Sequence, residues 1–182
     1  MRVVVTGASG KAGRAVVNDL REHEHDVVGV DLAPPSTVVD VCDFGQLLEC
    51  LAGADAIVHL AAVPAPGLKP DDVTFRINMT STFNAFEAAR VLGLSRVVWA
   101  SSETLYGVSF DDEPPESTPL TEESPVRTSS SYAMSKLLGE EMGREYWRRD
   151  KLPSVALRFS NIMEEHDYAD FPRYWEDART RS

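Results

Sequence analysis

Short apolar runs dominated by valine recur along the chain, separated by longer stretches in which apolar residues return every three or four positions. Continuous apolar runs suit strands covered on both faces, and the three-to-four spacing suits helices that pack one stripe. The alternation predicts strands at Arg2–Thr6, Val27–Asp31, Thr37–Val39, Ala56–Ala61, Ser95–Ser101 and Pro153–Phe159. Helices are predicted over residues 12–23, 44–52, 71–92 and 130–150. Repeated strand–helix–strand units join parallel strands, so the predicted fold is α/β: a doubly wound parallel sheet, Rossmann-like, with helices on both faces. The stretch Phe110–Thr128, rich in proline, acids and hydroxyls, reads as an exposed loop between strand and helix. After Phe159 no further strand pattern follows, and the remaining residues are charged and aromatic, among them Tyr168, Phe171, Tyr174 and Trp175.

Composition narrows the function without changing this picture. A chain of 182 residues, 43% hydrophobic, fits one domain with a sizeable core. A net charge of -11 argues against nucleic acid or an anionic membrane as partner, since phosphate surfaces attract Lys and Arg. No apolar run reaches the roughly 20 residues of a membrane span, and the amino-terminal run breaks at Gly7 too soon for a secretion signal. A cytoplasmic location is expected. Cys42 and Cys50 lack metal-ligand spacing and read as free thiols; His23 and His25 read as a solvated helix end, and His59 as a core histidine, so no metal is expected.

The first chemical feature is the turn after the first strand, Thr6-Gly7-Ala8-Ser9-Gly10-Lys11-Ala12-Gly13. Gly7 permits the tight turn, Gly10 the approach of a pyrophosphate, and Gly13 the seating of the helix on the strand. The N–H groups of Ser9, Lys11 and Ala12 then face phosphates at the positive end of a helix dipole. Asp31 closes the second strand where an acid hydrogen-bonds a ribose 2′-hydroxyl and repels a 2′-phosphate, which favours NAD over NADP. Asp40 and Val41 either bracket an adenine or, in the case of Asp40, cap the helix that follows.

The second is Tyr132-Ala133-Met134-Ser135-Lys136, which puts a phenol and an ammonium one above the other on a helix face. A neighbouring cation stabilises a phenolate, so Lys136 is expected to lower the Tyr132 pKa and let Tyr132 exchange a proton with a substrate while a nicotinamide exchanges hydride. Ser101 and Ser102 end a buried strand on the edge where doubly wound sheets bind ligands.

Taken together, TGASGKAG, His59-Leu60-Ala61-Ala62, Asn78, ASSETLYG, YAMSK and Leu157–Asn161 resemble the extended short-chain dehydrogenase/reductase family, the NAD-dependent epimerase/dehydratase group, in order and separation. The resemblance implies a catalytic set of Ser102, Tyr132 and Lys136, with Lys136 also on the nicotinamide ribose. It implies cofactor contacts at Leu60, Ala61, Ala62, Asn78 and Ser101, and substrate contacts at Ser102, Glu103, Thr104 and Asn161. Dehydratases of the family resemble a Thr-Asp-Glu sequence here; this chain has Ser102-Glu103-Thr104, so its expected activity is oxidation of a sugar or nucleotide-sugar, or 4-epimerisation with tightly held NAD. Family members also continue further, which implies an NAD-binding domain over 1–161 and, over 162–182, the start of a truncated or absent substrate region. Such a chain could bind NAD without turnover, as a regulatory module. Homodimerisation through the helix carrying Tyr132 and Lys136 and the helix before it is the implied assembly; the apolar face Leu137, Leu138 and Met142 serves either that contact or packing on the chain's own sheet.

Overall fold

A computed structural model describes residues 1–107 and 118–170. Part of the predicted 110–128 loop, and Phe171, Tyr174 and Trp175, lie outside the described residues. The elements run β1 (Arg2–Thr6), α1 (Lys11–Glu22), β2 (Asp26–Asp31), β3 (Thr37–Val38), α2 (Phe44–Leu51), β4 (Ala56–His59), α3 (Asp71–Leu92), β5 (Arg96–Ser102), a 3-10 turn (Glu103–Tyr106), α4 (Ser131–Asp150), β6 (Ser154–Phe159) and a second 3-10 segment (Glu165–Asp170).

The strands form one parallel sheet in the order β3-β2-β1-β4-β5-β6. Strand order reverses between β1 and β4, and the carboxyl ends at that reversal form the crevice in which such sheets take ligands. Helices cover both faces, as the apolar pattern predicts. On one face Val3 and Val5 pack under Val16, Val17 and Leu20 of α1; on the other, Val4, Ile57, Val97 and Trp99 pack under α2, α3 and α4. Among the described residues no helix is long and apolar enough to cross a membrane.

The strand β4 stops two residues before the predicted Ala61, and the cause is a side chain. The Leu60 N–H is shared between the Thr6 carbonyl and Thr6 Oγ1, both at 3.2 Å, and the Ala61 N–H donates to Thr6 Oγ1 at 3.2 Å, so the backbone leaves the ladder at a turn over β1. Helix capping also differs from the sequence reading. Asp43, not Asp40, caps α2 by accepting from the Gln46 N–H, while Asp40 accepts from the Cys42 N–H and holds the turn before the helix. Helix α4 begins at Ser131, with Ser130 as its cap.

Candidate functional site

The turn between β1 and α1 has the geometry of an anion cradle. Gly7 adopts φ +70, the left-handed region that L side chains rarely enter. A Cβ on Gly13 would lie 2.0 Å from the Gly7 carbonyl oxygen, so only glycine lets α1 sit this close to β1. Gly10, the residue before α1, is different: a Cβ there would meet only the Gly7 oxygen, at 3.2 Å, and the space above it is open. No side chain caps α1, so the first N–H groups of the helix, from Lys11 onward, face that space without a capping partner. A dinucleotide pyrophosphate fits this arrangement: a helix end with free donors beside a position without a side chain.

What the neighbouring side chains present is narrower than their sequence positions suggest. The Lys11 ammonium pairs with Asp167, so Lys11 offers backbone to the cradle; Ser9, expected to offer its N–H to phosphates, has its hydroxyl paired with Ser36 Oγ at 2.9 Å and its N–H taken by Asp31. Asp31 accepts from the Ser9 N–H at 2.9 Å and the Leu32 N–H at 2.7 Å, one on each carboxylate oxygen. Its remaining lone pairs are free for a ribose hydroxyl. The Val41 side chain is in the core and its carbonyl accepts from Asn84, while the exposed Asp40 stays at the surface beside it.

Behind the cradle, the turn after β4 is held from below. Thr6 Oγ1 already accepts from Leu60 and Ala61, so its own proton goes to His59 Nδ1, 2.9 Å away. That contact leaves the His59 proton on Nε2, which has no hydrogen-bond partner among the described residues. Burial, with a smaller contribution from the Lys136 charge, pushes the His59 pKa down from 6.5 to about 3. The unfolded chain therefore takes up a proton near pH 6.5 that the folded chain refuses until about pH 3. Stability from this group is fully present above pH 6.5 and is lost as pH falls toward 3. Between pH 7 and pH 4 the chain is expected to lose up to about 3 kcal/mol more than a His59→Gln variant, measured by urea unfolding. Parallel slopes in the two chains would refute this.

Asn78 is implied by the resemblance to touch the cofactor, but the structure gives its side chain another place. The buried amide accepts from the Val63 N–H at 2.8 Å and donates to the Val63 carbonyl and to Ser135 Oγ. It ties the segment after β4 to α4, and so fixes Leu60, Ala61 and Ala62 relative to the helix that carries Tyr132 and Lys136.

At the carboxyl end of β5, Ser102, Tyr132 and Lys136 converge, and all three are buried. The Lys136 ammonium donates to the Ala100 carbonyl at 2.8 Å and lies 5.5 Å from the centre of the Tyr132 ring. Burial pushes its pKa down to about 8, so at neutral pH it remains a cation. The expectation that Lys136 lowers the Tyr132 pKa is not met in this arrangement. Burial raises the phenol above its ordinary 10, and the group that opposes burial is Ser102, by hydrogen bond.

The Ser101 side chain has its partner within the protein. Its hydroxyl donates to Glu140 Oε1 at 2.7 Å, inside a network that motif reading does not reveal. Glu140 and Arg158 form a two-pronged ion pair, and Arg158 also donates to the Tyr106 hydroxyl at 2.7 Å. Burial disfavours the Glu140 carboxylate, but the hydrogen bonds from Arg158 and Ser101 prevail and hold its pKa below the ordinary range. The network joins α4, β6 and the 3-10 turn, so the strand end bearing Ser102 is fixed from three sides. Close packing seats α4 on β5: a Cβ on Gly139 would lie 2.6 Å from the Trp99 ring. Glu103 and Thr104 are half-buried on the 3-10 turn; Asn161 is exposed just beyond β6.

Glu164, His166 and Asp167 converge with metal-ligand chemistry, but Arg14 pairs with Glu164 and Lys11 with Asp167, so the carboxylates already have cationic partners. These contacts bring the segment after β6 back to the start of α1.

The model of the NAD dependent epimerase/dehydratase family matches residues 3–174. The chain is 35% identical to the L-arabinose 1-dehydrogenase (NAD(P)(+)) of Haloferax volcanii, over 89% of this chain and 67% of that protein. Among solved structures it is similar to a short-chain dehydrogenase/reductase superfamily protein of Agrobacterium tumefaciens with bound NAD, at 35% identity and TM-score 0.79, over 88% of this chain and 49% of that one. It is also similar to a UDP-galactose 4-epimerase, at 30% identity and TM-score 0.80, over 97% of this chain and 63% of that one. The chain thus spans from about half to two thirds of the length of these proteins.

Proposed function

Because the chain belongs to the NAD dependent epimerase/dehydratase family, we propose that it oxidises a sugar or nucleotide-sugar with NAD, using Tyr132 as acid/base. The observation that carries this reading is the convergence of the Ser102 hydroxyl, the Tyr132 phenol and the buried Lys136 at the sheet edge next to the glycine cradle.

In this reading the helix N–H groups from Lys11 and Ala12 hold the pyrophosphate above Gly10, with Gly7 and Gly13 shaping the turn. Asp31 accepts from the adenosine ribose, and Leu60, Ala61 and Ala62 line the crevice with backbone. Lys136 reaches the second ribose and keeps positive charge near the phenol. Bound NAD supplies one chemical property, the capacity to take a hydride from the carbon that bears the reacting hydroxyl. Tyr132 takes the proton of that hydroxyl, and Ser102 holds its oxygen. Residues 1–161 form the NAD-binding domain, and 162–182 begin a substrate region.

Oxidation and 4-epimerisation share this first step; a dehydratase needs a further base. The side chain at that position is Thr104, whose hydroxyl donates to Ser102 and which carries no carboxylate. A homodimer through α3 and α4 belongs to the same proposal, supported by Phe83, Met134 and Leu138, which are 47%, 47% and 38% exposed; Met142 packs on the chain's own core and Leu137 is half-buried.

The test is NADH formation by the purified chain with a panel of aldoses, hexuronates and nucleotide-sugars, alongside NAD and NADP affinities. Expected is NAD affinity well above NADP affinity, with the ratio falling about tenfold in Asp31→Ala, the equivalent of one charge-assisted hydrogen bond. NAD binding without turnover of any panel member would favour a nucleotide-binding module, and no NAD binding would end the proposal.

A further inference from the structure

The turn after β4 and the glycine cradle touch at one point, and a buried pair of side chains stands behind that contact. A Cβ on Gly7 would lie 2.7 Å from the Ala61 nitrogen and 2.9 Å from the Leu60 carbonyl carbon, so the Leu60–Ala61 backbone rests directly on the cradle. Thr6 is the last residue of β1, just before Gly7, and His59 is the last residue of β4, just before Leu60. The two are neighbours across the β1–β4 ladder, and both are buried.

The polarity of the Thr6–His59 contact follows from counting donors. Thr6 Oγ1 receives the Ala61 N–H and a share of the Leu60 N–H, whose other acceptor is the Thr6 carbonyl. A hydroxyl oxygen has two acceptor lone pairs and one proton to donate. Were His59 Nδ1 protonated, three N–H groups would converge on those two lone pairs. With Nδ1 bare, Thr6 gives its proton to the ring across 2.9 Å and keeps both lone pairs for the turn. Burial favours the uncharged ring that this requires.

We propose that His59 is a positioning residue for the cofactor: by taking the Thr6 proton on Nδ1, it commits Thr6 Oγ1 to the Leu60 and Ala61 N–H groups and holds that turn against Gly7. The inference rests on the reading that Leu60, Ala61 and Ala62 line the dinucleotide crevice. Without an acceptor at that place the Thr6 hydroxyl rotates, its proton competes with the incoming N–H groups, and the turn loses its anchor on β1. The effect falls on the crevice and not on the sheet, because the ladder from Val3 to Thr6 against Ala56 to His59 is made by backbone groups.

The experiment measures NAD affinity by calorimetry and, in the same chains, amide hydrogen exchange at Leu60 and Ala61. His59→Phe, which keeps a ring and removes the acceptor, is expected to weaken NAD binding about threefold to tenfold, the size of one net hydrogen bond, and to speed exchange at both amides by a similar factor. His59→Asn, whose Oδ1 stands where Nδ1 stood, is expected to recover most of both losses. In Thr6→Val, which has no hydroxyl to orient, the same His59→Phe change is expected to add nothing further to the loss of affinity. An NAD affinity in His59→Phe within about twofold of the parent chain, or equal losses in His59→Phe and His59→Asn, overturns the proposal. The ring 15N shifts of the unsubstituted chain give a check that needs no variant: Nδ1 bare and Nε2 protonated is expected, and a proton on Nδ1 overturns the proposal. A chain that binds no NAD but shows the exchange pattern ends the proposed function and leaves the hold of His59 on the turn standing; a chain that binds NAD equally well with and without the Nδ1 acceptor does the reverse.

Discussion

Tyr132→Phe is expected to abolish turnover, by about 10²- to 10⁴-fold, while NAD affinity stays within about twofold. The phenyl ring preserves what packing requires. Tyr132 is 6% exposed, and its ring keeps the contact with the Lys136 ammonium, so α4 and Lys136 stay where they are. What disappears is one oxygen, the group aimed at the reacting hydroxyl in the proposed mechanism. Loss confined to kcat, with NAD binding measured separately by fluorescence or calorimetry, is the signature of a missing proton-transfer group. Retained turnover in this variant would remove Tyr132 from the mechanism.

Gly13→Ala is expected to lower Tm by roughly 10 °C or more and to destroy cofactor binding. The added Cβ would lie 2.0 Å from the Gly7 carbonyl oxygen and 2.7 Å from Ala8 Cα, and both obstacles are backbone. Overpacking of a core ordinarily costs about 1–3 kcal/mol because side chains can move aside. Here α1 itself must leave β1, which dismantles the cradle as it destabilises the fold. Gly10→Ala is the control that separates the two effects. Its Cβ would meet only the Gly7 oxygen, at 3.2 Å, so thermal stability should stay close to that of the parent chain while NAD affinity falls. If both variants unfolded alike, the assignment of separate tasks to the two glycines would fail.

The opposite behaviour of two glycines three residues apart shows where sequence reading reaches its limit. The spacing Gly7, Gly10, Gly13 after a valine strand is visible in the chain, and so is the turn it forms. Which glycine is indispensable to packing depends on how closely α1 approaches β1, a distance no local pattern records. The same division runs through the catalytic set. The four-residue separation of Tyr132 and Lys136 places them on one helix face by helix geometry alone. Where the lysine ammonium finds its acceptor is a tertiary matter: it is the Ala100 carbonyl, thirty-six positions away in the chain.

The element boundaries tell a similar story. Apolar periodicity is a record of which positions meet nonpolar surface, so the sheet, its parallel character and its four main helices can be read from sequence to within one residue at each end. The exception, β4, ends early because Thr6 captures the Leu60 and Ala61 N–H groups from fifty-four and fifty-five positions away. Asn78 and Ser101 occur in recognisable motifs, but their side chains meet Val63, Ser135 and Glu140, not an open crevice.

Sequence alone therefore determined the α/β architecture, the glycine turn and the placing of Tyr132 and Lys136 on one helix face, because each follows from local spacing along a strand, a turn or a helix; Ser102 joins them through the family resemblance. The tertiary structure decided which hydrogen-bond donor meets which acceptor: the Thr6–His59 pair, the Glu140–Arg158 ion pair and the Thr104 hydroxyl on Ser102. Polar partnership is a matter of distance and direction between groups that the chain brings together only when it folds, and burial then sets how strongly each partner shifts the other's charge.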